Sequence, residues 1–280
     1  MTDVAQAFVP GHLTGFFTTH SDTDPTRAGS QGGGIALSTG VTVTVHPAEQ
    51  VEVVLNGSTV EMAAVERVLE TLKTRAVVRG VTDLPLASGF GVSGAMALGT
   101  ALSCNAAFDR QLSTNELVTV AHGAEVQAGT GLGDVVAQAR GGVTVRLEPG
   151  GPHHNVLDGI PANRRVEYLT LGDLPTADVL GGNTDPIDEA GTQALSAVVE
   201  EPTMDSFMRA SRRFSRESGL LTTDVREVIL DANEAGGQAA MAMLGKTVFA
   251  LDSALSEAGH DPTVCQVHHA GATLQTPHGV

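Results

Sequence analysis

Apolar and polar positions alternate with period two over residues 35–46, where Val41, Val43 and Val45 share one face, and this predicts a strand. Residues 51–55 read as its partner, with Asn56-Gly57 as a hairpin turn. Residues 5–10 predict a short apolar strand that runs into a loop, and the polar, glycine-rich stretch 20–34 predicts irregular structure. The spacing then changes to that of a helix. Met62, Val65, Val68, Leu69 and Leu72 fall on one face of a helix over 61–74, and an apolar helix is expected over 93–108. A third helix is expected over 113–128, with Ser113 or Thr114 as N-cap and Glu116 in its first turn. Residues 130–133 interrupt it, 134–139 resume helical character, and a strand follows at 143–147 after Gly141-Gly142. Beyond Pro152 the pattern predicts strands at 166–171, 247–251 and 264–268. Helices are expected at 187–200, 203–218, 223–234 and 252–258. The sum is an α+β chain of two lobes, 1–150 and 151–280, divided at 149–152.

Composition narrows the classes. A chain of 280 residues with 41% hydrophobic positions buries a sizeable core, and with aromatics at 3% that core is built from Val, Leu, Ala and Met. The net charge of −16, from 16 Lys+Arg against 32 Asp+Glu, leaves no basic stripe and argues against nucleic acid as a partner. Such a surface, with Lys73 and Lys246 as the lysines, suits a protein kept soluble in high salt, and equally an ordinary acidic cytosolic one. Cys104 and Cys265 suggest no disulfide framework. The first residues carry no basic-then-apolar leader and no apolar run is long enough to span a bilayer, so a cytoplasmic chain without a membrane partner is expected. A homodimer is compatible with the sequence.

Candidate chemistry gathers in two segments. The first is Pro85-Leu-Ala-Ser88-Gly89-Phe-Gly91-Val-Ser93-Gly94-Ala95, just ahead of the apolar helix. Glycines there let backbone N–H groups close on an anion, and the positive end of the helix points at the same place. The Ser93 hydroxyl could ligate Mg²⁺ or touch a phosphate. The same residues formally match a dinucleotide fingerprint, but Asp83, Pro85 and Ser88 interrupt the strand that should feed it. A glycine turn that only packs a helix closely is the plain alternative. The second segment holds Glu125, late in a helix, and Asp134, just past the Gly131 and Gly133 turn. Phosphoryl transfer needs one carboxylate for Mg²⁺ and another for the acceptor's proton. Taken alone, Glu125 reads equally as a solvated helix charge and Asp134 as a helix cap. His122 and Glu125, at i and i+3, lack a third ligand for zinc.

Together these segments resemble the GHMP kinases, the superfamily of galactokinase, homoserine kinase, mevalonate kinase and phosphomevalonate kinase, over most of the chain. Residues 85–95 are similar to that superfamily's central motif, and 235–250 to its glycine-rich C-terminal motif. Residues 9–17, 29–34, 130–138 and 243–248 resemble its archaeal pantoate-phosphorylating branch. The resemblance implies a two-lobed kinase that uses ATP and Mg²⁺, with pantoate as the small-molecule substrate. It implies that Pro85, Ser88, Gly89, Gly91, Ser93, Gly94 and Ala95 hold the nucleotide, that Ser93 and Glu125 hold the metal, and that Asp134 is the catalytic base. Substrate contacts are expected from His12, Thr14, Ser30, Gln31 and Gly245. Arg27 is the leading candidate for the acid's carboxylate, and Phe16 or Leu13 for its apolar part; a mobile surface arginine is the alternative for Arg27. Two departures stand out. His12 occupies the place where many members have lysine, so it contacts substrate or caps a loop, and Gly15 is followed by Phe16-Phe17 where a glycine–glutamate–histidine run is usual.

Overall fold

A computed structural model describes residues 4–172 and 182–276. Its two longest strands, β1 (Ala5–Phe17) and β2 (Gly32–Pro47), pair antiparallel and form the spine of an eight-stranded sheet. The first strand therefore runs well past Pro10, where the sequence predicts a loop. Pairing survives there because register shifts at Pro10/His12 and Thr14/Phe16 absorb the irregular residues. The two halves of β2 have different partners. Its C-terminal half pairs with β5 (Ala76–Thr82), and its N-terminal glycines with β6 (Val143–Glu148), which pairs with β7 (Val156–Ile160). The Asn56-Gly57 turn forms as expected, but it joins β3 (Glu52–Leu55) to an unforeseen two-residue strand, β4 (Ser58–Thr59). Yet β3 pairs in parallel with β5 and not with the strand at 35–46.

Helix α2 (Val92–Ala107) lies across β1 and β2, flanked by α1 (Ala63–Thr71) and α3 (Thr114–Ala128). Its residues from Val92 to Cys104 are almost all buried, which explains why its sequence is apolar on every side. Helix α3 begins with a capping box: the Ser113 hydroxyl accepts from the Glu116 N–H, and the Glu116 carboxylate accepts from the Ser113 N–H. After the break at 130–133, α4 (Asp134–Arg140) turns back against α2.

The second sheet is antiparallel, in the order β11-β8-β10-β9, from β8 (Arg165–Gly172), β9 (Ala239–Ala242), β10 (Lys246–Leu251) and β11 (Thr263–Gln266). Helices α5 (Asp185–Glu200), α6 (Met204–Glu217) and α7 (Thr223–Glu234) match the predicted spans closely, whereas α8 shrinks to Ala254–Glu257. Helix α6 ties the sheets together. Phe207 packs on Phe16 of β1 and on Phe249 of β10, with ring centroids 5.7 and 6.4 Å apart. Residues after 150 serve both sheets, since β7 and β12 (Thr273–Gln275) join the first. Strands β4, β5, β7, β9 and β12 are not foreseen by the pattern. No helix among the described residues is long and apolar enough to cross a membrane.

Replacing the capping residue, Ser113→Ala, should destabilise the fold by about 1 kcal/mol. Calorimetry should show this as a fall of about 2–4 °C in Tm without loss of the native far-UV spectrum.

Candidate active site

The site lies where the loop at 85–91, the start of α2, the 129–134 turn and the β9–β10 turn converge. The loop ends at Gly91, which takes a left-handed conformation (φ 63°) and caps α2 without a side chain. A Cβ there would stand 3.1 Å from the Asp134 carboxyl carbon, so only glycine lets the helix start approach the aspartate this closely. Behind the loop, the Ser88 backbone is clamped by the second sheet. The Thr247 hydroxyl donates to the Ser88 carbonyl at 2.9 Å, and a Cβ on Gly245 would fall 2.1 Å from that same oxygen. Gly245 thus serves a backbone-to-backbone contact.

These elements enclose a cavity of about 380 Å³. Pro85, Ser88, Gly89, Gly91 and Ser93 line it, with Thr14, Thr130, Asp134, Met243 and Leu244. Gly94 and Ala95 do not. Ala95 is fully buried and its N–H is already bonded to the Gly91 carbonyl, so it has no donor left for an anion. A narrow recess shares Thr14, Asp134 and Leu244 with this cavity and continues past Phe17, Ser30, Leu132, Gly133 and Arg146.

Asp134 lines the cavity, Glu125 lies behind its wall bonded to the lining residues Ser93 and Thr130, and both come close to Gly131. A Cβ on that glycine would lie 2.4 Å from Glu125 Oε2 and 3.6 Å from Asp134 Oδ2, so the glycine keeps a cradle open between them. Glu125 is 2% exposed, which removes it from the solvated helix face allowed by its sequence position. The Thr130 hydroxyl donates to its Oε1 at 2.8 Å and the Ser93 hydroxyl to its Oε2 at 3.1 Å. Burial pushes the Glu125 carboxyl up to about 7, the negative Asp134 adds to this, and the two hydroxyls oppose it. Glu125 therefore carries its charge at a cost that a bound cation would relieve. Among the described residues no group of three or more His, Cys, Asp or Glu could hold a metal, so any cation here must draw its remaining ligands from substrate and water.

Asp134 heads α4 in contact with one ionisable group and under the field of a second. His12 Nδ1 lies 2.7 Å from Asp134 Oδ1. The second is the guanidinium of Arg146, which is 2% exposed. Burial alone would raise the Asp134 carboxyl, but the hydrogen bond from His12 and the nearby positive charge outweigh it and hold the group below its usual value. Burial lowers His12, helped by the Arg146 charge, so at neutral pH His12 is a neutral imidazole whose Nδ1–H donates to Asp134. The cation of the cluster is Arg146, which burial lowers to about 10 against the pull of Asp134. Its Nε donates to the Ser30 carbonyl at 3.3 Å, while its Nη1 is buried with no partner. A buried guanidinium N–H without an acceptor is costly, and it marks where an anionic ligand group belongs.

The remaining expected residues divide. Thr14 and Ser30 line the recess. His12 is buried behind Asp134, and Gln31 turns away to the Leu147 carbonyl. Arg27 is exposed, 3.6 Å from Asp22, and lines neither cavity. Phe16 and Leu13 are core residues, and Phe17 takes the place at the recess. Arg146 is the principal residue the sequence reading passed over. An arginine inside the apolar run Val143-Thr-Val-Arg-Leu is the signal that could have found it.

Comparison with known proteins gives the family. Residues 59–142 match the GHMP kinases N terminal domain. The chain is 35% identical to a pantoate kinase of Thermococcus kodakarensis over 88% of this chain and 87% of that one. It is 31% identical to a pantoate kinase of Methanocaldococcus jannaschii over 94% of this chain and 100% of that one. A solved phosphotransferase related to the coenzyme A biosynthesis pathway superposes with a TM-score of 0.87 at 30% identity, covering 99% of this chain and 100% of that one. A homoserine kinase from Cytophaga hutchinsonii, at 17% identity and a TM-score of 0.72 over 98% of each chain, shares the fold. The chain is a GHMP kinase, and within that class it belongs to the pantoate kinase family. It is an ATP-dependent kinase of small molecules.

The raised Glu125 group gives a pH-dependent expectation. Its folded-state value lies above its unfolded value, so its contribution to stability is present at acid pH and is lost as pH rises through about 7. The metal-free Glu125→Gln variant should therefore be more stable than wild type at pH 8, by about 3 kcal/mol. It should match wild type near pH 4. Denaturant melts at the two pH values check this.

Proposed function

We propose that the protein transfers the γ-phosphoryl group of ATP to the primary hydroxyl of pantoate, giving 4-phosphopantoate for coenzyme A synthesis. The observation that carries the proposal is the position of Asp134. It stands at the junction of the loop-lined cavity and the recess, with an unpartnered N–H of Arg146 beyond it.

On this reading, backbone N–H groups around Ser88, Gly89, Gly91 and Ser93 face the ATP phosphates, and the start of α2 adds its positive dipole. The large cavity and its glycine loop fit that role. Ser93 and Glu125 hold Mg²⁺; the cradle at Gly131 and the strained charge of Glu125 fit a hard cation completed by phosphate oxygens and water. Bound there, Mg²⁺ supplies neutralisation of the phosphate charge. The acceptor lies where the main cavity meets the recess, with its carboxylate directed toward Arg146, the role the sequence reading gave to Arg27. Its primary hydroxyl then meets Asp134.

The hydroxyl oxygen attacks phosphorus, the bond from the γ-phosphorus to the bridging oxygen breaks, and ADP leaves. The hydroxyl proton passes to Asp134. With its carboxyl held low, Asp134 is a weak base toward a free alcohol. It works by orienting the hydroxyl and by taking the proton late, once bonding to phosphorus has made the alcohol acidic. Neutral His12 fixes the carboxylate's orientation through Nδ1–H without neutralising it. Thr14 and Ser30 are placed to hydrogen-bond the acid's oxygens. Residues 1–150 thus hold nucleotide and catalytic groups. Residues 151–280 close the cavity through the β9–β10 turn, while β7 and β12 return to the first sheet. An ATP-consuming step of this kind belongs in the cytoplasm.

The test is a phosphoryl-transfer assay over pantoate, homoserine, mevalonate and shikimate, in buffers of low and high salt. Pantoate should be preferred, and preference for another acceptor would overturn the assignment. Asp134→Asn should cut kcat by about 10²–10⁴-fold. Arg146→Met should raise KM for pantoate at least tenfold while KM for ATP stays within threefold. Both variants should retain the native far-UV spectrum.

A further inference from the structure

The polar groups of the recess account for an acid and a hydroxyl, but three of the residues around it are apolar: Phe17, Leu132 and Leu244. Leu244 is unusual in its backbone. It takes φ 63°, the left-handed region that favours glycine and that a leucine occupies only under strain. The neighbouring Gly245 leaves the chain little freedom, because its Cα packs against the Ser88 carbonyl. A glycine at 244 would relax the turn, yet a leucine stands there, and it borders both the nucleotide cavity and the recess. Strain retained at such a place points to a task for the side chain. Across the recess, Leu132 is half-buried in the 129–134 turn, immediately before the Gly133-Asp134 start of α4.

We propose that Leu132 and Leu244, backed by Phe17, form an apolar wall that selects acceptors in which the carbon bearing the reacting CH2OH group is fully substituted. This rests on the acceptor reading given above. With the carboxylate at Arg146 and the hydroxyl at Asp134, the two methyl groups on that carbon are the remaining bulk of the substrate. They must lie against whatever the recess offers between those two groups. An apolar wall there gains by burying them and leaves water against the leucines when they are absent. Leu132 and Leu244 are therefore specificity-determining residues for the acceptor.

The test compares pantoate with 2,4-dihydroxybutanoate, the same acid without the two methyl groups, in the wild type and in Leu132→Ala/Leu244→Ala. The wild type should favour pantoate in kcat/KM by roughly 10²-fold, since one such group is worth at least about tenfold in an apolar pocket. The double variant should bring that ratio below about tenfold, through a loss on pantoate at least tenfold larger than the loss on the analogue. Leu244→Gly, which relieves the backbone, serves if the double variant does not fold: a structural leucine predicts unchanged selectivity, the wall predicts at least a fivefold fall in the ratio. An unchanged ratio in the folded variants, or equal losses on both acids, overturns the wall and leaves the acceptor assignment standing. Failure of the wild type to phosphorylate pantoate overturns both.

Discussion

The ionised carboxylate of Asp134, held inside the protein between a neutral histidine and a buried arginine, is the interaction on which the site depends. Burial would push the carboxyl toward its neutral form, and the His12 hydrogen bond first, with the Arg146 charge adding to it, keeps it ionised. Without His12 the carboxylate would lose the donor that sets its direction. Each partner comes from a different strand, His12 from β1 and Arg146 from β6, while Asp134 heads α4. The long, twice-shifted pairing of β1 with β2, and of β2 with β6, is what brings them together. The spine of the first sheet is therefore also the frame of the proposed catalytic group.

Close approach is the second constraint. Gly91, Gly131 and Gly245 each stand where a Cβ would meet a carboxylate or a carbonyl within 3.1 Å. They let the start of α2, the 129–134 turn and the β9–β10 turn crowd onto one another without side chains between them. The cost of that crowding is a Glu125 charge that the protein alone supports poorly and a left-handed Leu244. Leu244 lines the cavity and Glu125 is bonded to its lining residues Ser93 and Thr130, and both features fit the proposed nucleotide, cation and acceptor.

Much of this was legible in the residues, and the reason is locality. The capping box at Ser113, the apolar run of α2 and the amphipathic spacing of α6 are signals contained in a few turns of chain. The glycine loop, Ser93, Glu125 and Asp134 lie in segments whose resemblance to a kinase superfamily is itself local. What was not legible depends on pairing across the sheet. Arg146 belongs to the site because Gly32 of β2 stands opposite it in the β2–β6 ladder, which no spacing in the sequence reveals. Strand β9 (Ala-Ala-Met-Ala) lacks any β-branched residue, so its composition gave no strand signal. The glycines and Pro10 in β1 suggested a loop, because the β2 residues that hold them extended are distant in the chain, as far as Gly40 for Pro10. Arg27 was attractive as a cation in a polar loop, but the fold turns it outward to Asp22.

A crystal structure with pantoate, Mg²⁺ and a non-hydrolysable ATP analogue would examine this cluster most directly. The account places the primary hydroxyl of pantoate within about 3.2 Å of an Asp134 oxygen. It also has the acid's carboxylate paired with Arg146. A ternary complex in which the hydroxyl faces another residue, or in which Asp134 is turned away from the acceptor, would contradict it.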